Sequence, residues 1–243
     1  MSLTAKLLLS PVLVAQALGA RARAPRLPEA AGERCGEIGR GPLLRLLILG
    51  DSSAAGVGVA RQKDALSGHL TRALAAQCAA RVRWQLLARS GITSVQCLQW
   101  LEAEAPAPAD IAVVVLGVND VVMQVPSQHA VRARAAIANR LRNAHGVAHV
   151  VFAPLPPVGR FPALAQPLRW VAGADARRHD AAVADWAAGR DDVSHVPIDL
   201  PLNRGVMASD GFHPGEPVYR VCGVALAEHI AEHVWPPLRA TRG

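Results

Sequence analysis

One segment of the chain joins an apolar run to a glycine turn and a serine. Residues 43–49 are rich in leucine, and Gly50, Asp51 and Ser52 follow them directly. A serine presented where a buried strand ends, just before a helix, occupies the usual place of a nucleophile. Its hydroxyl is weak at neutral pH and needs a base beside it. We therefore predict Ser52 as the nucleophile and regard Ser53, one residue further along, as a weaker rival.

A second segment, near the C-terminus, supplies a base and an acid. Asp210 and His213 are three residues apart, so one turn can place the carboxylate against the imidazole. The imidazole would accept the serine proton, and the carboxylate would fix its tautomer and orientation. Pro214 is expected to open the following helix, where proline is favoured, and to hold His213 there. Ser52, Asp210 and His213 are thus predicted to form a catalytic triad.

Short apolar runs alternate with longer helical patterns along the rest of the chain, which is typical of βαβ units. Strands are predicted at residues 43–49, 82–87, 111–116, 147–152 and 193–198. Helices are predicted at residues 65–79, 93–104, 127–143, 168–188 and 214–234. The pattern predicts an α/β fold, a three-layer α/β/α sandwich around a five-stranded parallel sheet with the flavodoxin-like order 2-1-3-4-5.

Three residues that can serve acyl transfer follow the first three predicted strands. Ser52, Gly91 and Asn119 come after strands that are neighbours in this order, and ligands of such sheets bind at the carboxyl ends of the strands. Acyl transfer needs donors aimed at the oxygen that becomes negative. The backbone N–H groups of Ser52 and Gly91 and the side-chain amide of Asn119 are predicted to form this oxyanion hole. Asp120 is interpreted as a helix or turn cap.

Four segments of the chain resemble, in order and spacing, the motif blocks of the SGNH (GDSL-type) hydrolases. The resemblance covers residues 43–234, and four blocks in sequence are far more specific than any one of them. Ser53 stands where many members have leucine, and the second block lacks the usual aspartate before its threonine. The four blocks are Gly50-Asp51-Ser52, Ser90-Gly91-Ile92-Thr93, Gly117-Val118-Asn119-Asp120 and Asp210-Gly211-Phe212-His213-Pro214.

The resemblance implies a serine esterase that works through an acyl-enzyme intermediate, with no cofactor and no metal. It assigns the same roles as the reasoning above to Ser52, Gly91, Asn119, Asp210 and His213. Members of the family cleave several kinds of ester. Short-acyl or lipid-type carboxylic esters are the leading expected substrates. Carbohydrate O-deacetylation and thioester or lysophospholipid hydrolysis are the alternatives, and a non-catalytic ligand-binding domain is a distant one.

Two further features bear on the class of enzyme and its substrate. An α/β-hydrolase fits less well, because Ala54 breaks the G-x-S-x-G elbow and the acid and base lie unusually close in sequence. Residues 160–169 follow the fourth predicted strand. They are interpreted either as a loop that binds an apolar acyl chain over the crevice or as a surface connection packed by its own side chains.

Charge and metal-binding patterns limit the classes of partner that we expect. The chain carries a net charge of +7, but its arginines are spread and only 4% of its residues are aromatic. Nucleic-acid binding is not expected, because it would show a basic stripe with stacking aromatics. Histidines such as His69, His179 and His195 show no metal-ligand spacing. The expected partner is a small-molecule ester.

The four cysteines lie far apart without a CxxC pair, which argues against a zinc site or a dithiol centre. Buried free thiols are the preferred interpretation. A disulfide between Cys78 and Cys97 stays open as the alternative for an exported domain.

The N-terminus carries an apolar run, Leu7–Ala20, that is shorter than the ~20 residues of a membrane span. Residues 1–24 are predicted to be an export signal or an anchor through which the protein associates with a membrane, with a soluble helix as the alternative. An exported or membrane-anchored location is therefore favoured over a cytoplasmic one, although the arginines after the run favour the cytoplasmic side. Residues 25–42 are interpreted as a linker and residues 43–238 as the hydrolase domain.

Overall fold

The computed structural model describes residues 3–23, 25–200 and 202–240, and within them six strands form one sheet between two layers of helices. The strands are β1 (Cys35–Ile38), β2 (Leu43–Gly50), β3 (Arg81–Ala88), β4 (Ile111–Val115), β5 (His149–Phe152) and β6 (Val193–His195). The helices are α1 (Leu3–Arg23), α2 (Leu66–Gln77), α3 (Ser94–Glu104), α4 (Val118–Val122), α5 (Ser127–His145), α6 (Leu168–Ala187), α7 (Glu216–His229) and α8 (Trp235–Ala240). Residues Ile230–Val234 form a π-helical turn between the last two.

The sheet has the order β1-β3-β2-β4-β5-β6. Strands β2 to β6 are parallel and reproduce the predicted order 2-1-3-4-5, so the α/β/α sandwich is confirmed. The predicted count of five is short by one, because β1 pairs antiparallel with β3 at the sheet edge. This strand lies inside residues 25–42, so part of the segment interpreted as a linker is an edge of the sheet.

The central strand β2 explains why its sequence is a continuous apolar run. Helices cover both faces of the sheet, so side chains on each side of β2 are buried and no polar alternation is needed. Leu46 and Ile48 belong to the core that includes residues of α2 and α7, whereas Leu47 and Leu49 belong to the core that includes residues of α3, α5 and α6. Each of these four leucine and isoleucine side chains is at most 1% exposed.

The N-terminal helix α1 contacts the start of α6. The Gln16 side chain donates to the carbonyl of Gln166 at 2.6 Å and accepts from the N–H of Leu168 at 3.0 Å. Within residues 3–23, 25–200 and 202–240, no helix has both the length and the apolarity needed to cross a bilayer. Residues 1, 2 and 24 of the predicted N-terminal segment lie outside the described residues.

The cysteines are unpaired. Cys78 and Cys97 are buried free thiols, so the structure contains no disulfide between them. Burial raises the pKa of Cys78 to about 11 and that of Cys97 to about 12, so both stay protonated and unreactive near neutral pH.

Candidate active site

Ser52, His213 and Asp210 form a continuous hydrogen-bonded chain at the carboxyl end of β2. The Nε2 atom of His213 lies 3.0 Å from the Oγ of Ser52, and its Nδ1 lies 2.5 Å from the Oδ2 of Asp210. An ionised carboxylate can only accept, so Nδ1 carries the proton and Nε2 is left to accept the serine hydroxyl. The arrangement has the geometry that a serine nucleophile needs for activation.

The Asp210 carboxylate also builds the turn that holds His213. Its Oδ1 accepts the backbone N–H groups of Phe212 and His213, each at 2.9 Å. Burial acts to raise the pKa of Asp210, but the hydrogen bonds from the His213 side chain and from the two backbone donors outweigh it and lower the pKa. The prediction that Pro214 opens the helix is wrong. Helix α7 begins at Glu216, and the carboxylate turn holds the imidazole instead.

Ser52 lies on a series of turns and does not stand directly before a helix. The N–H of Ala55 bonds to the carbonyl of Asp51 at 2.9 Å, and the N–H of Val57 bonds to that of Ser52 at 3.0 Å. Helix α2 starts only at Leu66, so the predicted helix directly after the serine is wrong. The Nε2 of His213 is hydrogen-bonded to the hydroxyl of Ser52 rather than to that of its neighbour Ser53.

Asp51 joins the turn that carries Ser52 to Asn119. Its Oδ2 accepts from the Nδ2 of Asn119 at 3.2 Å, and its Oδ1 accepts the N–H of Ser53 at 2.9 Å. This contact uses one of the two N–H groups of the Asn119 amide. Asp51 is only 2% exposed. Burial raises its pKa to about 6, although the Ser53 N–H and nearby His213 act to lower it.

Gly91 lies in the turn that follows β3, the strand beside β2. Its φ of +84° is one that glycine adopts without strain, and a Cβ there would meet no atom within 4 Å. The N–H of Arg89 bonds to the carbonyl of Gly50 at 3.1 Å and fixes the start of this turn against β2. Gly91 is therefore brought to the same edge of the sheet as Ser52, with an open side facing solvent.

A residue of the predicted linker, Glu29, holds the turn next to Gly91. Its Oε1 accepts from the N–H of Ser90 at 3.0 Å and from the Ser90 hydroxyl at 2.6 Å, and its other oxygen pairs with Arg34. Sequence reasoning missed this residue, because it lies 61 positions before its partner and in no motif.

Asp120 is fully buried and is more than a local cap. It accepts the N–H of Ser94 at 2.9 Å and the Ser94 hydroxyl at 2.5 Å, so it caps the start of α3 from the neighbouring helix α4. It also forms an ion pair with Arg134 of α5, whose Nη2 lies 3.1 Å from its Oδ2. Asp120 is therefore a helix cap, as interpreted from the sequence, but it caps α3 from a different helix. Its ion-pair partner Arg134 was not identified from the sequence.

An apolar cavity of about 50 Å³ opens beside Ser52 and His213. Residues 160–169 border the crevice through Phe161, which is 2% exposed and packs edge-on against Phe212 with ring centroids 5.1 Å apart. Other residues lining the cavity are Ser53, Leu66, Val118, Pro154, Pro156, Leu200, Leu202, Met207, Pro214, Val218, Tyr219 and Cys222.

Across the described parts of the chain, no three His, Cys, Asp or Glu side chains are gathered as metal ligands would be. His195 pairs with Asp180 at 2.8 Å, and His69 lies 3.2 Å from Glu216 at another place in the fold.

The chain matches known proteins over most of its length. A sequence profile of the GDSL-like lipase/acylhydrolase family matches residues 48–221. A GDSL-like esterase of Mycobacterium tuberculosis is 30% identical over 260 aligned positions, which cover 95% of this chain and 80% of the relative.

Solved structures share the fold. A lipase from a goat rumen metagenome superposes with a TM-score of 0.60 at 17% identity, covering 78% of this chain and 98% of the lipase. A family 3 carbohydrate esterase of Clostridium thermocellum gives a TM-score of 0.59 at 18% identity, covering 83% and 100%. An acetylxylan esterase of Geobacillus stearothermophilus gives 0.59 at 19% identity, covering 79% and 95%. The profile match spans most of the domain and the curated relative spans nearly the whole chain, so this protein belongs to the GDSL-like (SGNH) lipase/acylhydrolase family and is an ester hydrolase.

Proposed function

We propose that the protein hydrolyses carboxylic esters with short acyl groups, using Ser52, His213 and Asp210 as a catalytic triad. The observation that supports this most directly is the hydrogen-bonded chain from Ser52 through His213 to Asp210, which opens onto a cavity with a mostly apolar lining. An apolar cavity suits an acyl chain. Its neighbour, the serine hydroxyl, suits attack on the carbonyl that carries the chain.

The reaction proceeds in two halves. The Oγ of Ser52 attacks the ester carbonyl while its proton passes to Nε2 of His213, and the carbonyl oxygen becomes negative. The donors for this oxygen are the N–H groups of Ser52 and Gly91 and the second N–H of the Asn119 amide. Collapse breaks the ester bond, and the alcohol leaves with the proton held by His213. Water, deprotonated by His213, then attacks the acyl-enzyme and releases the acid and free Ser52.

The size of the cavity sets the expected acyl length. One water needs roughly 10–15 Å³ of such volume, so about 50 Å³ holds roughly three to five water-sized groups. An acetyl to butyryl chain fits this space, whereas a palmitoyl chain has to leave most of its carbons outside. The cavity therefore favours short acyl groups over long lipid chains.

Hydrolysis of p-nitrophenyl esters from acetyl to palmitoyl tests the proposal. We expect the largest kcat/KM between acetyl and butyryl, and a fall of at least ~10³-fold in kcat for Ser52→Ala, because the nucleophile is lost. Ser53→Ala is the matched control and should keep measurable turnover. Undiminished activity in purified Ser52→Ala would refute the assigned nucleophile, and an optimum at eight carbons or more would refute the short-acyl preference.

An acetylated carbohydrate is the second candidate, because acetyl is the smallest common acyl group and fits the cavity. Two of the structural relatives are named as a carbohydrate esterase and an acetylxylan esterase. Release of acetate from acetylated xylooligosaccharides, compared with release from p-nitrophenyl acetate, tests whether the sugar adds to recognition. A kcat/KM for the sugar ester well above that for the simple ester would favour this candidate.

A further inference from the structure

A buried polar unit lies beneath the crevice, formed by Ser94, Asp120 and Arg134. These residues come from three different helices, α3, α4 and α5, and none is more than 1% exposed. Asp120 accepts two hydrogen bonds from Ser94 and pairs with Arg134 at 3.1 Å. The Nε of Arg134 also donates to the Ser94 hydroxyl at 3.1 Å, so each of the three residues contacts the other two.

The presence of an ion pair at this depth calls for an explanation other than stability. Taking a carboxylate and a guanidinium out of water is unfavourable, and apolar residues of similar volume commonly give equal or better stability. A buried, fully hydrogen-bonded unit does, however, hold the elements that carry it in one arrangement.

Two members of the unit lie close in sequence to a proposed oxyanion donor, and the third contacts the residue that precedes α4. Asp120 directly follows Asn119 on α4. Ser94 opens α3 and stands three residues after Gly91. Arg134 lies against Gly117, the residue before α4, so closely that a Cβ on Gly117 would come within 2.3 Å of its Nη2. The unit therefore connects the segment that carries Gly91 to the segment that carries Asn119.

Gly91 depends on its flanks for its position. It is exposed, and the space where its side chain would be contacts no other atom within 4 Å. The direction of its N–H follows the turn that carries it, which Glu29 holds at Ser90, directly before Gly91, and Asp120 holds at Ser94, three residues after it. A shift of Ser94 relative to Asp120 would change the distance between the Gly91 N–H and the Asn119 amide.

We propose that Ser94, Asp120 and Arg134 act as a positioning unit that fixes the Gly91 and Asn119 donors relative to each other and so stabilises the oxyanion. The inference rests on the proposed function, since it takes those two residues as the donors. None of the three touches substrate. Donors in an oxyanion hole act on the transition state more than on the bound ester, so loosening them lowers kcat and leaves KM nearly unchanged.

The test is Ser94→Ala, with Ser67→Ala as its matched control. Both serines are fully buried in the first turn of a helix and both hydroxyls make side-chain hydrogen bonds, but Ser67 bonds to Gln62 rather than to the residues that flank Gly91 and Asn119. Ser94→Ala removes the hydroxyl that links Asp120 to Arg134 and spares the ion pair. The concentration of active enzyme is measured by fluorophosphonate labelling of Ser52. The kcat is then calculated per labelled site, so a loss of folded protein does not lower it.

We expect Ser94→Ala to lower kcat on p-nitrophenyl acetate about tenfold, because outright removal of a donor lowers the rate by about 10² to 10³. The KM should stay within about twofold, and Ser67→Ala should keep the wild-type kcat. The affinity for a trifluoromethyl ketone, whose adduct with Ser52 carries the oxyanion, should weaken in parallel with kcat. Asp120→Asn should lower kcat further for the same number of labelled sites.

The outcomes separate the inference from the proposed function. If the wild type is neither labelled nor active on any ester, the proposed function fails. If the wild type is active but Ser94→Ala and Ser67→Ala have the same kcat, the positioning unit is refuted and the proposed function stands. A raised KM with unchanged kcat would also refute it, because the unit would then shape the binding of the ground state.

Discussion

Asp51 is the most unusual single residue near the nucleophile, because its carboxylate is buried and, in the parts of the chain that the structure describes, is hydrogen-bonded to no cationic side chain. It accepts from the Ser53 N–H and the Asn119 amide, which is less than an ionised carboxylate would gain from water. Burial accordingly raises its pKa from 3.8 to about 6. Burial disfavours the ionised form of this carboxyl. Its ionisation therefore opposes folding.

The raised pKa of Asp51 predicts how the stability of the protein depends on pH. The folded pKa lies above the unfolded value, so the unfolded state releases the proton first and the protein loses stability as pH rises from about 4 to about 6. We expect Asp51→Asn, which cannot ionise, to gain about 2 kcal/mol in free energy of unfolding relative to the wild type between pH 4 and pH 7. Urea unfolding of both proteins at these pH values measures the difference.

Asp185→Asn serves as the control, because Asp185 is exposed on α6. Its free energy of unfolding should track that of the wild type across the same pH range. A constant difference between Asp51→Asn and the wild type would contradict the raised pKa.

The residues that the sequence could identify are those whose chemistry is local. Asp210 and His213 are three positions apart, and Ser52 follows an apolar strand, so spacing alone suggested the triad. Glu29 and Arg134 had no such signal, because their partners Ser90 and Ser94 are 61 and 40 positions away. Only the folded sheet brings those pairs together.

The same distinction holds for secondary-structure elements. Strand β2 was predictable because both faces are covered and its sequence is continuously apolar. Strand β1, Cys-Gly-Glu-Ile, carries little apolar pattern and lies mostly exposed at the sheet edge. It forms because β3 offers an unpaired edge, which is a tertiary cause that a local pattern does not show. The start of α7 was misplaced because Pro214 precedes a second proline, Pro217, that lies in the first turn.

Helices α2 and α7 follow the turns that carry Ser52 and His213, and they pack closely against each other. A Cβ added to Gly223 of α7 would lie 2.7 Å from the Cβ of His69 and 2.8 Å from the backbone nitrogen of Leu70 in α2. We expect Gly223→Ala to lower the free energy of unfolding by about 2 kcal/mol, because overpacking outweighs the gain of about 1 kcal/mol in helix propensity.

Urea unfolding of Gly223→Ala measures this effect, and Val224→Ala is its control. Val224 is the next residue of the same helix and is 36% exposed, so its truncation should change stability by less than about 0.5 kcal/mol. A more stable Gly223→Ala would show that the two helices can separate without loss, which contradicts the tight contact.

Several histidines, in different parts of the molecule, have lowered pKa values. His149 and His229 both contact the Ser194 hydroxyl, at 3.1 and 2.8 Å, and His179 is buried in α6. Burial lowers the pKa of all three. Neighbouring groups act in both directions, since the Asp191 carbonyl and the Asp192 charge act to raise the pKa of His149, whereas His233 acts to lower that of His229.

These shifts predict a loss of stability in acid. The folded pKa values lie below the unfolded value of 6.5, so below pH 6.5 the unfolded chain binds more protons and the free energy of unfolding falls. We expect the double variant His149→Gln/His229→Gln to show a shallower fall between pH 7 and pH 5 than the wild type. His129→Gln, at an exposed position of α5, should keep the wild-type slope. Asp51 titrates with the opposite sign but is present in all three proteins, so it cancels in the comparison. Equal slopes in the wild type and the double variant would show that these two imidazoles are protonated as readily in the fold as outside it.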